Sequence, residues 1–386
     1  MPSRWLAALV LTAACYDPAP RAACSVACDY VGQGAAAACP GELVCGVQGL
    51  CVGATTDRCD PVDGGPAGDA PRCFAPPPVS GLMGQICFTD PPADVLVLPT
   101  AIDTTTCQLG ADAPAGTATF CIISARELRV PTQGVATGDR PLILLASEAI
   151  IIEATGGIDV SSRRGQPIGA GGNWGVCEGS IIQAVGGAGG GAGGTFQGRG
   201  GNGAGSLGGT RAVNSLELAF HGGCPGGDGG QSDARGGRGG GAMFLSAPRI
   251  EVYGHLIAAG EGGGTATGMN RGGGGGGSGG FIGVHAGSLL LDLGARLVAA
   301  GGGGGGASES DLGAPGQDPT VENPAAMGGT GFARGGNGSQ PLQGEDGAVV
   351  SDIGGGGGGG AGYIDLRSGG AAIECFAPRC VPASSL

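Results

Sequence analysis

Cysteine is the residue through which this chain could do most chemistry, and the choice lies between disulfide bridges and a metal site. Fifteen Cys accompany only three His in 386 residues. Cys24, Cys28, Cys39, Cys45, Cys51, Cys59 and Cys73 crowd into one stretch, and Cys87, Cys107, Cys121, Cys177, Cys224, Cys375 and Cys380 follow at wide intervals. No CxxC pair occurs, the spacings are irregular and no His lies near the crowded group, so tetrahedral zinc lacks its usual donors. These fourteen are disulfide candidates of an oxidising compartment. A bridge from Cys177 to Cys224 would close a loop of about 47 residues and add roughly 3 to 4 kcal/mol. Cys375 and Cys380 could bridge locally and cap the C-terminal end.

The remaining polar chemistry is sparse. His221, His255 and His285 lie on different phases of different segments, and no nucleophile elbow joins a strand to a helix, so a Ser-His-Asp relay cannot be assembled. His255 and His285 read as outward strand residues, with Leu256 and Val284 pointing inward. Asp159, Glu251 and Asp292 occupy single outward positions, which gives no carboxylate pair for glycoside chemistry. Arg163 and Arg164 read as a solvated turn. Matches to GxGxxG arise by chance within glycine runs, and no amphipathic helix follows them to hold a phosphate. Asp228 and Asp233 sit in a glycine-rich stretch that faintly resembles calcium-binding repeats, without their apolar position or tandem copying. The expectation is therefore no catalytic residue, no metal and no cofactor.

At the N-terminus Arg4 precedes an apolar stretch from Trp5 to Leu11, and Thr12, Ala13 and Ala14 lead into Cys15. A charged start, a short apolar core and small residues describe an export signal. The small residues before Cys15 resemble the lipobox of bacterial lipoproteins, which implies lipidation at Cys15 and a membrane partner through the anchor. Cys39-Pro40 followed by Cys45, Gly49 and Cys51 resembles the cysteine-rich stretch of myxobacterial surface lipoproteins. That resemblance implies an outer-membrane or cell-surface location in a Gram-negative bacterium, with no activity attached. The expected organisation is a signal over 1–14, a tether over 15–23, a stapled module over 24–78, a β domain over 79–374 and a cap over 375–386.

Composition narrows the β domain. Net charge is −13 and every one of the 19 basic residues is Arg, a surface that repels phosphate backbones and argues against nucleic acid. Hydrophobic residues make up 41% and charged residues only 13%, so burial rather than disorder is expected. Aromatic residues are 4%, which leaves the core to Val, Leu, Ile and Ala. Those residues alternate with period two: Ile150, Ile152, Ile158 and Val160; then Ile250, Val252, Leu256 and Ala258; then Leu291, Leu293, Ala295 and Leu297. A shorter apolar segment precedes each, at Leu142 to Ala146, Met243 to Ala247 and Ile282 to Ala286, and Ile364 to Ser368 begins a further copy. Twenty residues per copy suits one coil of a parallel β-helix, with the aliphatics stacked in ladders. The fold expected is all-β, a solenoid preceded by a disulfide-rich module.

Glycine, 91 residues, interrupts these copies over about 163–242, 261–280 and 302–362. The runs do not keep the Gly-X-Y register of collagen. They read as flexible solvated loops, as extended strands packed in the manner of polyglycine II, or as crossover strands. The second arrangement resembles some phage adhesins and a glycine-rich antifreeze protein in composition. Three functions follow as expectations: a surface lipoprotein contacting envelope components, extracellular polysaccharide or a surface protein; a polysaccharide-active enzyme; or a binder of ordered surfaces such as ice.

Overall fold

The computed structural model describes residues 93–107, 120–173, 177, 184, 186–205, 208–210, 220–230, 234–310, 312–339 and 341–383. It also gives the backbone of four short strands, β1 (Val44–Cys45), β2 (Cys51–Val52), β3 (Arg72–Phe74) and β4 (Ile86–Phe88). The signal over 1–14, Cys15, the tether over 15–23 and Cys24, Cys28, Cys39 and Cys59 lie outside the described residues. The chain divides into two compact units, Met1–Gly68 and Asp69–Leu386. In the first, β1 and β2 pair antiparallel with Cys45 opposite Cys51. In the second, β3 and β4 pair likewise with Cys73 opposite Cys87.

From residue 93 the chain alternates between longer and shorter strands. The longer are β5 (Ala93–Val97), β7 (Cys121–Val130), β9 (Leu142–Ile152), β11 (Ala242–Val252), β13 (Phe281–Leu291) and β17 (Tyr363–Ser368). They form one sheet in the order β17-β13-β11-β9-β7-β5, every pairing parallel, with β18 (Ala371–Ala372) added antiparallel at the end. Between them come β6 (Ala101–Asp103), β8 (Gln133–Thr137), β10 (Gly157–Asp159), β12 (His255–Ile257) and β14 (Arg296–Val298), and at the end β19 (Cys380–Val381). These make a second, wholly parallel sheet in the same chain order, and β15 (Val349–Val350) and β16 (Ile353–Gly354) form a small antiparallel pair before β17. No α-helix is found among the described residues.

Alternation explains the core. Ile123, Leu144, Leu245, Val284 and Leu366 stand beside one another on successive strands of the long sheet. Ile158, Leu256, Leu297 and Cys380 do the same in the short sheet. Both rows belong to one buried cluster between the sheets. Each fully buried aliphatic contributes about 1.5 to 3 kcal/mol relative to exposure.

Two expectations need correction. The short apolar segment and the first half of the alternating one are a single strand, as in β9, and the break falls later, at residues 153–156. Leu293 is not on the inward face: it lies in the corner between β13 and β14 and is 77% exposed. The cause is corner length. Only Tyr253 and Gly254 separate β11 from β12, whereas Asp292 to Ala295 separate β13 from β14. Ile250 therefore lies beside Leu289, while Leu256 lies beside Leu297.

The glycine runs are ordered, which overturns the solvated-loop expectation for these residues. They leave the short sheet after β10, β12 and β14 and return into the long sheet at β11, β13 and β17, so a bundle grows from one corner of the stack. Residues 272–280, 301–308 and 353–362 are buried throughout. Within the last run the backbone N–H of Gly354, Gly357 and Gly360 donates to Ala188, Gly191 and Gly194. Gly355, Gly358 and Ala361 donate to Ala348, Glu345 and Leu342, and Gly356, Gly359 and Gly362 donate to Gly305, Gly302 and Ala299. The run over 272–280 repeats the scheme: Gly273, Gly276 and Gly279 donate to Gly354, Gly357 and Gly360, and Gly274, Gly277 and Gly280 donate to Gly264, Glu261 and Ala258. Each successive residue faces a different neighbour and the cycle closes after three, the period of an extended three-fold helix. A side chain has no room there. A Cβ on Gly276 would lie 2.1 Å from the Gly302 carbonyl oxygen, and one on Gly358 1.8 Å from that of Asn337.

An apolar plate joins the bundle to the outer face of the long sheet. Phe220 packs edge-on against Phe281 and Phe244, at 5.3 and 6.1 Å between centroids, and Phe281 stacks on Tyr363 at 5.4 Å. Ile122, Ile143 and Leu145 complete this buried cluster.

Candidate functional site

The parallel register brings three polar residues from distant parts of the chain onto adjacent strands. Outward residues of the long sheet follow one another as Ser246 on β11, His285 on β13 and Arg367 on β17. Asp365, two residues before Arg367, shares that face because strand side chains alternate. His285 Nε2 lies 2.7 Å from Asp365 Oδ2, and Arg367 Nε donates to Asp365 Oδ1 at 3.3 Å. The imidazole packs edge-on against Phe244 at 4.8 Å. Gly283 leaves the space: a Cβ there would sit 2.6 Å from the Phe244 ring.

Asp365 is 4% exposed. Burial is the largest influence on its carboxyl and acts to raise the pKa. The hydrogen bond and charge of His285, with Arg367 beside it, outweigh burial and hold the group below its ordinary value of 3.8. Ser246 stands in register with His285, but the only hydrogen bonds in the cluster are those to Asp365. A hydroxyl, an imidazole and a carboxylate thus occupy neighbouring strands without a relay, and the arrangement clamps β13 to β17. A buried carboxylate engaged by His285 and Arg367 is not presented to a polymer.

The other residues singled out in the sequence are scattered. His255 is on β12 of the short sheet, and His221 is buried near the plate with its ring 4.9 Å from Phe196. Glu251 is engaged by Arg249 and by the Tyr253 hydroxyl at 3.1 Å, and Asp292 accepts from the Gly294 N–H at 2.8 Å. Asp228 accepts from the Gly236 N–H at 2.8 Å. No group of three or more metal-ligating side chains is found among the described residues.

Asp159, expected outside, is 3% exposed and pairs with Arg163 at 2.8 Å. Arg164 lies in an exposed turn as expected, with Arg163 half-buried beside it, and the turn is also tied down. Arg164 Nη2 donates to the carbonyls of Gly262 and Gly316 at 2.9 and 3.0 Å, and its N–H donates to Asp318. Asp318 in turn accepts from the Gly262 N–H at 2.7 Å. These charges fasten the short-sheet corner to the glycine bundle. Arg238 does the same through Glu261 and the carbonyl of Gln166.

Three disulfides are present among the described residues: Cys107–Cys121, Cys177–Cys224 and Cys375–Cys380. The second closes 47 residues within the longest excursion, whose Cys224 N–H also donates to Ser278 Oγ at 2.8 Å. The third fixes the last strand of the short sheet. Cys45, Cys51, Cys73 and Cys87 are placed by their backbone only.

Asp365 escaped sequence reasoning because its partner lies 80 residues away in the chain. The pairing of Phe281 with Tyr363 was the available signal, since the register it sets carries His285 to Arg367. No protein-family model, curated protein or solved structure matches this chain.

Proposed function

We propose that the chain is an exported surface lipoprotein whose second unit is a parallel β-helix carrying a polyglycine bundle, and that it acts as a rigid structural or adhesive element of a Gram-negative envelope. The observation that supports this most is the three-residue cycle of backbone hydrogen bonds through buried glycine runs. That network spends most of the chain's glycine on rigidity and leaves little of it for moving parts. Bridged cysteines suit an oxidising location, and Cys15 supplies the anchor.

The test is expression of the full chain in a Gram-negative host fed labelled fatty acid, followed by protease treatment of intact cells. Label incorporation that disappears in Cys15→Ser, with the protein accessible from outside, is the expected result. An unlabelled protein released in soluble form would sink the proposal.

The bundle's regular spacing favours one second reading, binding to an ordered surface such as ice. Thermal hysteresis in solutions of the purified chain is its measurement, and freezing indistinguishable from a control protein removes it.

A further inference from the structure

A histidine and two arginines follow one another across the outer face of the short sheet near its C-terminal end. Leu256 and Leu297 point into the core, so the preceding strand residues His255 and Arg296 point outward, and Arg379 sits in the turn just before β19. Leu297 donates to the Arg379 carbonyl at 2.7 Å, which fixes that register. Arg296 places one nitrogen on the carbonyls of Leu293 and Ala295, at 3.1 and 2.8 Å, and no carboxylate pairs with it. His255 Nδ1 is buried without a hydrogen-bond partner.

His255 and Arg296 line an open recess of about 550 Å³, whose walls include Val321, Pro324, Pro378 and Val381 and whose rim carries Glu322. The volume lies in the range of small-molecule sites, about 300 to 1,000 Å³. A guanidinium fork matches a carboxylate with two parallel hydrogen bonds. The proline and valine walls suit the C–H face of a saturated ring. Glu322, exposed at the mouth, accepts hydrogen bonds from hydroxyls and repels a second negative charge. One anionic group on a hydroxylated ring satisfies all three.

We propose that this recess binds a sugar acid, its carboxylate on Arg296 and His255 and its ring hydroxyls toward Glu322. The site deepens the proposed surface role by giving it a ligand; Val321, Glu322 and Pro324 reach it from the excursion over 302–362, and the lipid anchor takes no part in it.

The test is calorimetric titration of the purified full chain with D-glucuronate, D-glucose and inorganic phosphate at fixed ionic strength. Saturable binding of glucuronate is expected, with glucose weaker by about tenfold or more, the loss of one charge-assisted pair. Arg296→Gln should lower glucuronate affinity by about tenfold, while Arg249→Gln, on the other sheet, leaves it unchanged. Because Arg296 also braces its corner, Glu322→Gln provides a variant at an exposed position. It should weaken glucuronate about threefold and strengthen phosphate. Glucose or phosphate binding the unaltered chain as tightly as glucuronate overturns the proposal. So does absence of saturable glucuronate binding by folded protein, or an unchanged affinity for both anions in Glu322→Gln.

Discussion

The parallel stack and the glycine bundle solve the same problem in opposite ways. In the stack, Leu144, Leu245 and Val284 fill the space between two sheets, and side chains hold the strands in place. In the bundle the segments approach until carbonyl oxygens sit where a Cβ would be, and the hydrogen bonds run between backbones alone. The stack should be weakened by taking atoms away and the bundle by adding them.

The largest effect is expected from Gly276→Val. Its neighbours on the Gly302 side are backbone and cannot rotate aside, so a loss of about 4 kcal/mol or more is expected. Hydrogen exchange would sharpen the comparison. Protection should vanish across 272–280, 301–307 and 354–362 while the amides of β9 and β11 keep theirs. Simultaneous loss in both regions would show that they unfold as one unit and would break the distinction.

Leu256→Ala removes atoms from the stack, where the strands on either side supply Ile158 and Leu297. A cavity there should cost about 3 kcal/mol in chemical denaturation, with bundle amides still protected under native conditions. Replacing Cys177 and Cys224 together by Ser should cost about 3 kcal/mol, seen as a lower melting temperature with the other two bridges left intact.

Asp365 gives the stack a dependence on acid. Its carboxyl is held below 3.8 when folded, so its contribution is complete above that value and is lost as pH falls through the lower folded value. Melting from about pH 5 to about pH 2 should show Asp365→Asn less stable at the upper end and the difference closing at the lower. A constant difference would sever the carboxyl from the effect.

The smallest effect separates conformation from packing. Gly165 has a φ of +73° and nothing within 4 Å of a Cβ. Gly165→Ala should therefore cost only about 1 kcal/mol, from the left-handed backbone alone. A cost equal to that of Gly276→Val would mean that close approach is not what the bundle's glycines supply.

The two regions were also unequally legible in the sequence. Period-two alternation placed Ile150, Ile250, Leu256 and Leu297 on one inward face because a side chain records which way its strand faces. It misplaced Leu293 because nothing in the residues marks how long a corner is. The bundle's order left no such record, since glycine has no side chain to alternate and its cycle of three lies in the N–H directions. Asp365 and Arg164 were unreadable for another reason. Their partners become neighbours only once the excursions have folded back, 80 residues away for Asp365 and about a hundred or more for Arg164.

That three-residue cycle also constrains how such a gene can drift. One codon inserted into the run over 354–360 would turn everything after it by a third of a revolution. Each amide would then face the wrong neighbour, while Tyr363 would enter the sheet out of step with Phe281. Three codons restore the facing of every amide. Length variation within these runs is therefore expected in multiples of three residues, a second reading frame written in the protein above the one written in the nucleic acid.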